Sequence, residues 1–155
     1  MPEAPYRELI TTGGSNFTLE HAKSPVDNLG VVSGDPGFRH LDVLDARFRP
    51  ENYNKADGSP LRLFDSPGVK IDLSKRSKED MGFWHRNVDY NEVIFCFRGA
   101  LRWETELGTV TLREGEMILI PKGISHRSML CEQSAEENIL LELKLRDELN
   151  YVGDG

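Results

Sequence analysis

A histidine at position 85, a glutamate seven residues later at 92 and a second histidine at 126 constrain this chain more than anything else in it. Around them the residues read as short strands and tight turns. Residues two apart on a strand share a face, so His85 and Asn87 point the same way. Glu92 lies an odd number of residues beyond Asn87, so the segment 88–91 must bend or bulge before Glu92 can join them. Glu92, Ile94 and Cys96 then share one inward face. Further on, Gly115 opens a turn and residues 117–120 form an apolar strand. Pro121 and Gly123 then reverse the chain and set His126 at the start of the next strand. Glu92 sits inside an apolar run, where an unpaired carboxylate is costly to bury. A bound cation removes that cost.

Two imidazoles and one carboxylate on one face leave coordination positions open, and the ion such a triad usually holds is non-haem Fe(II). Zn, Mn or Ni would accept the same ligands, and ligand count does not separate them.

These residues resemble the two motifs of the cupins, a family of small β-barrels: Gly-x5-His-x-His-x3,4-Glu-x6-Gly and Gly-x5-Pro-x-Gly-x2-His-x3-Asn. The second is matched from Gly115 through Pro121 and Gly123 to His126, with Leu130 in place of its trailing Asn. The first is matched at His85, Glu92 and Gly99, with Glu79 where its leading Gly stands and Asn87 where many cupins carry another histidine. The resemblance implies an all-β fold, a double-stranded β-helix or jelly-roll barrel, carrying an N-terminal extension of short strands and loops. His85-Arg86-Asn87 followed closely by Glu92 is also similar to the iron motif of homogentisate dioxygenases. His/Glu/His sites occur in 3-hydroxyanthranilate dioxygenases as well.

What this implies is a non-haem Fe(II) dioxygenase that cleaves a small catechol- or aminophenol-like ring with O2. His85, Glu92 and His126 would hold the metal. Asn87 would act in catalysis by hydrogen-bonding bound oxygen or supporting a ligand. Homogentisate dioxygenases are much longer, so the resemblance covers only their catalytic barrel. A redox-neutral metal-dependent cupin (isomerase, lyase or decarboxylase) and a non-catalytic small-molecule-binding cupin remain open beside it.

With 155 residues the chain is sized for one domain. We expect an N-terminal extension over 1–40, packed on the barrel or on a partner subunit, the barrel over 41–148 and a loose tail over 149–155. Edge-strand material near the N-terminus, with little core of its own, points to a homodimer. A net charge of −7 disfavours a nucleic-acid partner. No apolar run approaches the ~20 residues that span a bilayer, and the start of the chain lacks a signal peptide, so a cytoplasmic protein is expected. Two cysteines make no disulfide framework, and Cys96 reads as a small apolar filler.

Along the chain, strands are expected over 41–48, 61–64, 69–73, 82–87, 92–97, 100–105 and 109–112, then over 138–146 with Ile139, Leu141, Leu143 and Leu145 facing inward. Arg47 or Arg49 on the first of these could reach the pocket mouth, although surface charges are the commoner outcome. The polar run 74–80 reads as a solvated loop because its charges are mixed. His21 and His40 read as structural or solvent-facing, and Trp84 and Trp103 as packing.

Overall fold

The computed structural model describes residues 6–22, 37–77 and 82–153. The chain divides into two compact units, residues 1–41 and 42–155. The first holds a hairpin of β1 (Tyr6–Thr12) and β2 (Ser15–His21), antiparallel around the Gly13-Gly14 turn. Leu9, Phe17 and Leu19 on it are exposed. Residues 1–5 and 23–36 of the expected N-terminal extension lie outside the described residues.

The second unit is an all-β jelly-roll barrel. One sheet has the order β3-β4-β10-β5-β8, built from β3 (Leu61–Asp65), β4 (Val69–Arg76), β10 (Asn138–Leu145), β5 (Asn91–Arg98) and β8 (Met117–Ile120). Facing it is β7-β6-β9, made of β7 (Gly108–Arg113), β6 (Ala100–Thr105) and β9 (His126–Met129). Every pairing is antiparallel. Between the sheets, Ile94, Cys96, Leu101, Trp103, Leu112, Ile120 and Leu140 close into one apolar core. Burial of each large aliphatic among them contributes about 1.5–3 kcal/mol. The core fills one end of the barrel and leaves the other to polar groups.

Four expectations are corrected. Residues 41–48 form two consecutive turns, not a strand. The carboxylates of Asp42 and Asp45 accept from the backbone of Leu44 and Arg47, both at 3.0 Å, and these local bonds compete successfully with extended structure. Residues 82–87 make only an isolated bridge at His85, and the partners of β5 are β10 and β8. The run from Ser74 to Arg76 is the buried end of β4, not a solvated loop. On β10 the inward face is the opposite one from Leu140 onward. Ile139 is fully buried as expected, but Leu140 joins the core and Glu142 and Lys144 line the barrel cavity, whereas Leu141, Leu143 and Leu145 are only partly buried. A register shift between Ile139 and Leu140 sits at the start of that strand. Alternation on β10 gives the period correctly but not the sign, because this barrel is polar inside at one end.

Gly99, the last glycine of the first motif, shows how the chain is locked at the β5–β6 corner. Its φ of 78° suits glycine, and a Cβ there would collide with the side-chain oxygen of Asn138. That oxygen accepts from Ala100 N at 3.1 Å and Ala135 N at 2.9 Å, and Asn138 Nδ2 donates to the carbonyls of Arg76 and Ala135. One fully buried amide thus joins three chain segments. Asn138→Ala strands several buried backbone groups and should cost about 2–4 kcal/mol in urea unfolding. A loss below about 1 kcal/mol would show that the corner does not depend on it.

Candidate metal centre

His85 and His126 face each other across a single antiparallel bridge. His85 N donates to His126 O at 3.0 Å and His126 N to His85 O at 2.9 Å, which sets the ring centroids 4.3 Å apart. The loop leading to His126 is fixed by Gly123, whose φ of 80° makes the reversal and whose N donates to Asn87 O at 2.7 Å. Glu92 comes from the second residue of β5 and pairs with Ile120. The expected bend before it is present: Asn87 Oδ1 accepts from Asp89 N and Tyr90 N, both at 3.0 Å, as an Asx turn. One ligand atom from each of His85, Glu92 and His126 lies within 4.8 Å of the other two.

The hydrogen bonds on the far side of each ring decide what the near side can do. His126 Nδ1 donates to Ile124 O at 2.9 Å and His85 Nδ1 to Phe83 O at 3.1 Å. A carbonyl only accepts, so each Nδ1 carries a proton and each neutral ring turns an Nε2 lone pair inward. His126 Nε2 meets Glu92 Oε2 at 3.1 Å, yet Oε2, buried, makes no hydrogen bond of acceptable geometry. Lone pairs facing one another in a buried site repel unless a cation or proton stands between them. This donor set fits a divalent cation.

Electrostatics agree. Burial alone would raise the Glu92 carboxyl, but His126 beside it outweighs burial and holds it below its usual range. Burial likewise works against a charged His126, and contact with Glu92 reverses that and raises it. His85 is exposed, but partial desolvation of its ring, with His126 beside it, lowers its pKa. In the metal-free protein His126 therefore keeps its proton to higher pH than an ordinary histidine, and a metal must displace that proton.

The centre opens into a cavity of about 270 Å³. Asn87 lines it, as does Trp103, which is 2% exposed and packs 5.8 Å from the His126 ring. Arg47 and Arg49 do not line it; they stack on Phe48 and Tyr53. Trp84 is half exposed and lies under Arg127. His21 contacts Glu8 within the N-terminal hairpin, and His40 is exposed. Cys96 is in the core, and burial pushes its thiol up to about 11, so it stays a neutral thiol.

Sequence reading misses several cavity residues, among them Asn52, Arg76, Glu142 and Lys144. Charged neighbours disguise Arg76. Glu142 and Lys144 alternate with leucines that the hydrophobic pattern sends to the inward face.

Two outcomes follow for metal binding. After dialysis, His85→Ala, Glu92→Ala and His126→Ala should each lose most of their metal by elemental analysis; full stoichiometry in any of them would move the site elsewhere. Zn(II) affinity should also weaken as pH falls through the raised titration range of His126, with a proton released on binding. Calorimetry in buffers of different ionisation enthalpy reads both, and a pH-independent affinity would contradict the ligand assignment.

No family model matches the chain. A provisionally named dioxygenase of Saccharolobus solfataricus is 24% identical over 92 residues, which span 59% of this chain but only 23% of that protein. Among solved structures, a cupin-2 domain protein of Shewanella frigidimarina is 30% identical, with 57% of this chain and 80% of that one covered, at a TM-score of 0.46. A provisionally named mannose-6-phosphate isomerase of Ralstonia eutropha is 18% identical and shares the fold at a TM-score of 0.56, over 70% of this chain and 99% of that one. With the motif from Gly115 to His126, the jelly-roll barrel and a His/Glu/His centre in its polar end, this chain belongs to the cupin superfamily.

Proposed function

We propose that this protein is a non-haem Fe(II) dioxygenase that opens a small aromatic ring bearing adjacent hydroxyl or amino groups. One observation carries the reading: His85, Glu92 and His126 bring three ligand atoms within 4.8 Å of one another in the wall of one cavity, a donor set that leaves positions open on a bound metal. Fe(II) bound there would bring a chelating substrate and O2 into one coordination sphere. The name of the Saccharolobus relative supports the same class of reaction.

The chain's own residues supply orientation and exclusion. Ile124 O and Phe83 O hold the two imidazoles in the ligating tautomer. Trp103 lines the cavity and packs beside the His126 ring. Asn87 stands where many cupins carry a further ligand, and its Oδ1 is committed to the turn at Asp89 and Tyr90. Only Nδ2 is left to act, as a hydrogen-bond donor toward a molecule in the cavity, and a neutral amide would compete poorly for a metal held by His85, Glu92 and His126.

Anaerobic loading with Fe(II), followed by O2 uptake with catechols and 2-aminophenols, tests the proposal. Stoichiometric O2 consumption with loss of the aromatic chromophore is expected. No uptake with any hydroxylated aromatic would overturn it. Asn87→His should bind metal more tightly and turn over more slowly, because it removes an open position; unchanged turnover would remove the role given to Asn87.

A further inference from the structure

Five buried side-chain polar atoms have no hydrogen-bond partner among the described residues, and four belong to residues that line this one cavity: Asn52 Oδ1, Arg76 Nε, Glu92 Oε2 and Trp103 Nε1. Orphaned buried polar groups are rare in folded proteins and each is costly. The metal accounts for Glu92. Arg76 is the most demanding of the others.

Its guanidinium belongs to a residue only 8% exposed, at the inner end of β4. Nη1 reaches Asn52 O only at 3.5 Å, the outer limit of a hydrogen bond, and Nε reaches nothing among the described residues. Among the described residues no carboxylate lies within ion-pair distance of it. The other cations lining the cavity already have carboxylate partners: Arg86 has Glu106 at 3.4 Å, and Lys144 has Asp72 at 2.7 Å, which is held in turn by Arg62 at 2.7 and 3.1 Å. Burial pulls the Arg76 guanidinium below its ordinary value while Glu142 opposes the shift. Burial also raises the Glu142 carboxyl toward its neutral form, so Glu142 is a poor counter-ion. A guanidinium does not lose its proton at working pH, and burying it without a counter-ion is costly; the described residues supply none.

We infer that Arg76 is the anchor for a substrate carboxylate, so that the molecule bound above His85, Glu92 and His126 is a small aromatic acid rather than a neutral phenol. The fork of Nε and Nη matches the two oxygens of a carboxylate in geometry and charge. With a divalent cation at the triad the positive charges lining the cavity outnumber the negative ones, and a bound anion offsets part of that excess. The aromatic ring of that acid rests on the dioxygenase reading; the carboxylate rests on Arg76 alone.

The test measures binding by calorimetry, with salicylate as the acid and catechol as its neutral counterpart, on metal-free and Zn(II)-loaded protein. Salicylate should bind the metal-free form, and Arg76→Gln should weaken it about 10- to 100-fold in both forms. Catechol binding to the zinc form should not change. In 15N-labelled wild type, the Arg76 Nε–H resonance, assigned by its loss in Arg76→Lys, should shift on salicylate addition; this readout stands even if Arg76→Gln does not fold. Salicylate affinity unchanged in Arg76→Gln, no binding to the metal-free wild type at millimolar concentration, or an unmoved Nε–H resonance would each overturn the assignment. Failure of the dioxygenase reading would appear in O2 uptake and leave salicylate binding intact.

Discussion

Everything at the polar end of this barrel depends on three donor atoms held within 4.8 Å of one another with too few protons to reconcile them. Two carbonyls, Phe83 O and Ile124 O, fix both imidazole tautomers from behind, and the reciprocal backbone bonds of His85 and His126 fix their spacing. Glu92 is delivered from the opposite sheet. Without a cation, the site stores the repulsion of a carboxylate against an imidazole lone pair or takes up a proton. A divalent ion replaces both costs with coordination, so the barrel gains from metal as the metal gains from the barrel.

The barrel is divided to make this possible. At one end Ile94, Cys96, Leu101, Trp103, Leu112, Ile120 and Leu140 supply the apolar burial that stabilises the fold. At the other, Asp72, Arg76, Glu92, His126 and Glu142 are buried as well. Such density of buried charge is tolerable where the groups are paired, as Asp72 is with Arg62 and Lys144. Arg76 Nε and Glu92 Oε2 have no hydrogen-bond partner among the described residues, and both residues line the cavity where metal and substrate would be.

The triad and the turns around it are legible in the sequence because they obey local rules. Strand parity forces a bend between Asn87 and Glu92, and Pro121 with Gly123 marks a reversal. The wall of the cavity is not legible, for a physical reason. The alternation over residues 139–145 signals an amphipathic strand, but which face is interior depends on whether the partner strands present apolar or polar residues, and that is a tertiary fact. Parity alone therefore sends Glu142 and Lys144 outward, and Arg76 hides in a run whose mixed charges look solvated. Residues 41–48 depart for a different reason: Asp42 and Asp45 bind their own backbone, and that local chemistry overrides the hydrophobic alternation.

The central claim, that one divalent metal sits between His85, Glu92 and His126, is tested most directly by X-ray absorption at the metal edge of the loaded wild-type protein. A first shell of nitrogen and oxygen only, with outer-shell scattering from two imidazoles, is the predicted result. A sulfur ligand, or a spectrum without imidazole scattering, would contradict it.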